Sequence, residues 1–127
     1  YIGLRDLDEY EKNVIRDNNI KCISCDDINN DMIGVYNKVN DFVGNSHIHL
    51  SFDVDSLDPI YMPSTGTSVK NGIDIDVLYD MFELLLKNDK LVHIDIMELN
   101  LSLGDSRDKM LSMMNVMRLL NMIKKQK

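Results

Sequence analysis

Two aspartates two positions apart, Asp53 and Asp55, end an apolar run within Ser51-Phe52-Asp53-Val54-Asp55-Ser56-Leu57-Asp58-Pro59. The run predicts a strand from Ile48 to Val54, and period-two geometry turns both carboxylates to one side. Carboxylates held side by side repel unless a cation lies between them. The natural partner is a divalent ion that takes oxygen ligands. Taken alone, a D-x-D is equally well a polar turn with solvated acids.

A second group is His93-Ile94-Asp95-Ile96-Met97-Glu98-Leu99-Asn100. Asp95 falls on a predicted strand from Leu91 to Met97, expected to be buried on both faces. Glu98 comes at the carboxyl end of that strand. There it can grip a guanidinium by paired charge-assisted hydrogen bonds, or simply face solvent before the next helix. Thr65-Gly66-Thr67 is small enough for backbone to approach a ligand, and is otherwise a plain turn. The stretch Gly3-Leu4-Arg5-Asp6-Leu7-Asp8-Glu9-Tyr10-Glu11 follows another short strand. Its acids can cap a helix or bind an ammonium group; capping is expected of Glu9 and the ligand role of Asp8. In open α/β sheets, ligands bind at the carboxyl ends of strands, where all four groups fall.

The elements that must position them alternate. Ile2 to Leu4 reads as a strand, Asp8 to Asn18 as a helix and Ile20 to Ser24 as a strand. Ile28, Met32, Val35, Tyr36, Val39, Phe42 and Val43 recur at helical spacing, predicting one amphipathic helix over about 27–43. After the strand ending at Val54, Pro59, Pro63, Gly66 and Gly72 mark a loop. Asp74 can cap a helix running to Leu86. A last helix starts at Asp105 or Ser106 and is rich in methionine, expected to be mostly core filler. Such alternation predicts an α/β fold with a parallel sheet and helices on both faces. The opening Tyr1-Ile2-Gly3-Leu4 reads as the middle of a strand, so further strands are expected upstream.

The 127 residues carry a formal net charge of -7, from 21 acids against 14 bases. That balance argues against nucleic acid, whose phosphates need gathered Lys and Arg. No apolar run approaches a membrane span. Cys22 and Cys25 lack a second pair to complete a zinc site and read as reduced thiols, so a cytoplasmic location is expected.

In order, these motifs resemble the arginases of the ureohydrolase family. The family's S-F-D-V-D-x-L-D-P is Ser51 to Pro59, its T-G-T is Thr65 to Thr67, and its D-I-M-E-x-N is Asp95 to Asn100. Its G-L-R-D-x-D is Gly3 to Asp8, with Glu11 at the family's spacing. The resemblance spans nearly the whole chain. It implies that residues 1–127 are the C-terminal part of one catalytic domain, within a three-layer α/β/α fold. It implies two Mn²⁺ per site in the complete enzyme, with Asp53 bridging both and Asp55 on one. Glu98 would be catalytic, holding the substrate guanidinium toward a metal-bridging hydroxide. Asp8 would read the α-amino group, with Glu11 nearby, and Thr67 would line the pocket. The reaction implied is hydrolysis of L-arginine to L-ornithine and urea.

Partners implied are the N-terminal remainder of the enzyme, with its two His and two further Asp ligands, and identical subunits of a homotrimer. The chain alone is therefore expected to be inactive. His47, His49 and His93 read as structural. Arg118, in the apolar stretch of the last helix, is a candidate subunit contact or snorkels to solvent. Ser68, Lys70, Asn71, Leu101, Glu9 and Tyr10 depart from common family residues, all in loops. A related ureohydrolase such as agmatinase is an alternative, as is a non-catalytic α/β binding module. The Asp8 segment favours arginine over agmatine, because agmatine has no α-carboxylate and no chiral α-carbon to read.

Overall fold

Alternating apolar residues and well-formed helix caps build this chain locally. The computed structural model describes residues 1–125. Strand β1 (Ile2–Leu4) leads to helix α1 (Glu9–Asp17), and β2 (Ile23–Ser24) to α2 (Cys25–Asn30) and α3 (Met32–Val43). Strand β3 (Ile48–Asp53) ends in a 3₁₀ turn, Val54–Ser56, followed by α4 (Ile75–Leu86), β4 (Leu91–Met97) and α5 (Ser106–Lys125). β1 pairs with β2 and β3 with β4, both in parallel. The fold is α/β, as the alternation predicts, and the parallel pairing agrees.

Four expectations need correction. Glu9 and Tyr10, expected in a loop, open helix α1. The strand over 20–24 is only Ile23–Ser24. The helix expected over 27–43 is two helices, because Asp31 ends α2 and caps α3 by accepting from the Gly34 N–H at 2.9 Å. A Cβ at residue 34 would lie 2.0 Å from the Asp31 carboxylate, so the cap needs glycine there. The strand carrying Asp95 is not buried on both faces. Phe52 meets Phe82 of α4 edge to face at 5.1 Å. The opposite face of the β3–β4 pair, bearing His49, Ser51, His93 and Met97, is open to solvent.

Among the described residues, then, helices cover one face of this pair, and the strands form two separate pairs. A cleft of about 1030 Å³ separates them, with β1 and β3 as walls and side chains of α2, α3 and α4 beneath. The core lies under that cleft, around Ile28, Val35, Phe52, Leu78, Phe82 and Leu119. The methionines of α5 are largely outside it. Met110, Met113, Met114 and Met117 are exposed, while Ser112, Val116 and Leu119 are buried. Their periodicity marks an apolar helix face, and this face is uncovered here.

Candidate functional site

The rim where β1 and β3 end is held by one residue, Arg5. Its guanidinium donates to the carbonyl of Asp55 at 2.5 Å, of Val69 at 2.8 Å and of Leu57 and Ser56 at 3.3 Å. Arg5 follows β1, whereas those acceptors follow β3, so one planar donor ties both carboxyl ends to the long loop. Asp58 closes the same loop from within. Its carboxylate accepts from the backbone N–H of Asn71 at 2.8 Å, Gly72 at 3.2 Å and Ile60 at 3.0 Å. Asn71 takes a left-handed φ of 62°, which asparagine tolerates better than most residues. Neither the reach of Arg5 nor the clasp of Asp58 was visible in the sequence. The family motifs contain both residues, but only the folded loop shows what they hold.

On this scaffold Asp53 is the last residue of β3 and Asp55 lies in the 3₁₀ turn. Asp53 accepts the Asp55 N–H at 3.2 Å, so the two acids are locked as neighbours. Burial pushes the Asp55 carboxyl up to about 6, helped by the charge and hydrogen bond of Asp53 and the charge of Glu98. Arg5 works against this shift but does not cancel it, and its guanidinium donates to carbonyls and to the Cys25 sulfur. The three acids from two strands therefore share one field. The donor set is oxygen-only and anionic, which suits Mn²⁺ or Mg²⁺ better than a soft ion.

Glu98 follows β4 in a left-handed conformation, φ 65°, unusual for a residue with a side chain. Thr65 fixes it by donating its hydroxyl to the Glu98 carbonyl at 3.0 Å, and the Asn100 N–H reaches the Ser64 carbonyl at 3.0 Å. The small-residue loop therefore anchors the Glu98 segment. Thr67 is exposed and lines the cleft with Asp53 and Asp55.

Asp8 and Glu11 stand apart from this cluster, at the start of α1. Asp8 is the N-cap: it accepts the Glu11 N–H at 2.7 Å, and Glu11 accepts the Asp8 N–H at 2.8 Å. Capping thus belongs to Asp8 and Glu11 as a reciprocal pair, and not to Glu9, which pairs with Lys12. One oxygen of each carboxylate is left over, so the cap does not preclude a ligand.

A second cluster lies further down the same strands. Asp95 accepts from His49 Nε2 at 2.7 Å and from His93 Nε2 at 3.0 Å, and the two rings meet edge to face at 4.7 Å. These three residues could also converge on a metal ion. Yet Asp95 is already satisfied: hydrogen bonds from the two imidazoles hold its carboxyl below the usual range. No local signal in the sequence links the histidines to their shared partner, which lies 46 positions from His49. Arg118 lies 3.8 Å over the Tyr79 ring of its own chain. Cys25 is buried and donates to the Gly3 carbonyl, and Cys22 is exposed; both thiols are free.

The model of the Arginase family matches residues 1–122. The chain belongs to the arginase family. It is 45% identical over 108 residues to the arginase of Glaciozyma antarctica, covering 82% of this chain and 31% of that one. The arginase of Neurospora crassa is 43% identical over 110 residues, 85% of this chain and 31% of that protein. Helicobacter pylori arginase superposes with a TM-score of 0.90 at 29% identity, over 99% of this chain and 42% of that one. Entamoeba histolytica arginase, solved with L-ornithine, gives 0.87 at 29% identity, over 97% and 41%. Formimidoylglutamase from Bacillus subtilis, 20% identical, shares the fold with a TM-score of 0.85. The chain spans about a third of the length of the curated arginases it matches. The arginase-like α/β fold therefore matches the expectation, and so does its partial extent.

Proposed function

We propose that this chain is one part of an arginase whose complete form hydrolyses L-arginine to L-ornithine and urea with manganese. The observation that carries this reading is the rim itself. Asp53 and Asp55 are locked together, Glu98 adds its charge, and the Asp55 carboxyl is pushed up to about 6. Such a trio is short of positive charge, and both a metal ion and a guanidinium would supply it.

Asp53 and Asp55 would hold the metal, which when bound lowers the pKa of a water and polarises the reacting group. Glu98 would take the guanidinium by paired hydrogen bonds and fix the direction of its carbon. Its backbone is pinned by Thr65, which fixes the place from which that carboxylate reaches. Asp8 would accept from the substrate α-amino group through the oxygen not used in the cap, with Glu11 beside it and Thr67 on the pocket wall. Two carboxylates cannot grip a metal pair tightly, so the rest of the enzyme would supply the remaining ligands and the chain alone would be inactive. Assembly into a homotrimer is part of this reading, and the exposed face of α5, with Met110, Met114 and Met117, is a surface open to identical subunits or to the rest of the enzyme. Two free cysteines are in keeping with a cytoplasmic location.

The test compares arginine with agmatine in the full-length enzyme loaded with Mn²⁺. Arginine is expected to be the better substrate. Asp8→Ala is expected to lower kcat/KM for arginine at least about tenfold, the worth of one charge-assisted hydrogen bond to its amino group. An unchanged kcat/KM would remove Asp8 from substrate recognition, and agmatine preference in the parent enzyme would replace arginase by a sibling activity.

A further inference from the structure

We infer that Ser112, in the buried stripe of helix α5, is a positioning residue for Glu98, acting through Ser64 and Thr65 of the long loop. This rests on the reading above that Glu98 takes the substrate guanidinium.

The helix gives the first sign. A fully buried helix position is by default apolar, and a serine there gives up helix propensity. Val116 and Leu119 follow that default, yet Ser112 lies on their face and is fully buried. Asn115 comes three residues later, so the two polar side chains are neighbours on the helix surface. Both bond to one stretch of loop, Tyr61 to Ser64. Ser112 Oγ accepts the Ser64 N–H at 3.0 Å, and Asn115 Nδ2 donates to the Tyr61 carbonyl at 2.8 Å. Ser64 is itself fully buried, so loss of the Ser112 oxygen would strand a backbone donor away from water.

The loop carries the constraint onward. The Ser64 carbonyl accepts the Asn100 N–H at 3.0 Å, and its hydroxyl donates to the Leu103 carbonyl at 3.1 Å. Thr65 donates to the Glu98 carbonyl at 3.0 Å and forms an antiparallel bridge with Leu99. Two adjacent loop residues therefore hold the chain on both sides of the Glu98 backbone bond. Glu98 needs such holding, because its φ of 65° is a costly conformation for a residue with a side chain. The loop has little regular structure of its own, whereas α5 runs for 20 residues. Fixing a loop-borne site to a regular element gives it precision. Asp53 and Asp55 do not depend on this tie. They bond to each other, and Arg5 holds the Asp55 carbonyl. Loss of the Ser112 oxygen should therefore loosen Glu98 and leave the pair of aspartates in place.

The test uses the full-length enzyme loaded with Mn²⁺. Ser112→Ala is expected to lower kcat/KM for arginine at least about tenfold, mostly through kcat, because a guanidinium set slightly off line reacts poorly. Its manganese content is expected to equal the parent's, and amide exchange at Ser64 to quicken at least about tenfold. Val116→Ala, an apolar truncation on the same buried face, is expected to lower the melting temperature and leave kcat/KM within about twofold of the parent. Ser112→Cys keeps a side chain of similar shape with a weak acceptor, and is expected to fall between the parent and Ser112→Ala. Should Ser112→Ala not fold, Ser112→Cys decides, and activity equal to the parent's would overturn the inference. A folded Ser112→Ala as active as the parent would overturn it too. So would an equal loss in Val116→Ala, which would make the effect one of general stability. Glu98→Gln separates this inference from the reading beneath it. An inactive Glu98→Gln beside an unimpaired Ser112→Ala removes the positioning role alone, and a fully active Glu98→Gln removes both.

Discussion

Two acidic clusters sit on the same pair of strands, and they differ in what they lack. At the rim, Asp53 and Asp55 are hydrogen-bonded neighbours, the charge of Glu98 acts on Asp55, and the nearby cation, Arg5, bonds to carbonyls. Lower on the open face, Asp95 is gripped by His49 and His93. Their carboxyls move in opposite directions, Asp55 up to about 6 and Asp95 below its ordinary range. The first cluster is a set of charges waiting for a cation; the second has found its donors within the chain.

The largest expected effect breaks the comparison at the rim. In the full-length enzyme, Asp53→Ala or Asp55→Ala is expected to lower kcat by at least about a thousandfold and to reduce bound manganese, measured by elemental analysis. His49→Ala with His93→Ala is expected to leave the manganese content unchanged. Reversal of that order would move the metal site to the open face.

Next comes the scaffold. Arg5→Ala leaves several loop carbonyls without their donor and is expected to destabilise the chain by about 3 kcal/mol in urea unfolding. Arg5→Lys is expected to recover less than half, because an ammonium cannot reach carbonyls from β3 and from Val69 in one plane.

The smallest effect is a pH signature. A carboxyl raised on folding stabilises below its unfolded value, near 3.8, and that contribution is lost as pH rises through about 6. Metal-free Asp55→Asn is therefore expected to melt a few degrees above the parent at pH 7 and level with it at pH 3.5. Asp95 has the opposite sign. Its contribution is present above about pH 3.8 and fades as pH falls through its lowered folded value. Replacing both histidines is expected to lower the melting temperature slightly at pH 7, with the difference vanishing once Asp95 is protonated.

Much of this was legible from residue patterns. β4 occupies Leu91–Met97 as its apolar run predicts, and Asp74 caps α4 as its type and place suggest. Asp53 at the end of β3 was readable from the strand pattern, but Asp55 lies in the 3₁₀ turn beyond it, so strand period does not place the second acid. The break at Asp31 was not readable, since Ile28, Val35 and Val39 keep helical spacing across it and only the cap to Gly34 reveals two helices. The Arg5 clamp spans up to 64 positions and the His49–Asp95 pair 46, distances that no local pattern encodes. The open face of β3–β4 and the exposed methionines of α5 have a common cause. Apolar periodicity says which surface will be covered but not by which part of the protein.

The most direct measurement is an anomalous-scattering map of the manganese-soaked full-length enzyme. Manganese is expected in contact with the carboxylates of Asp53 and Asp55, with the Glu98 carboxylate facing the same space. Manganese on His49, His93 and Asp95 with the rim empty would contradict the account at its centre.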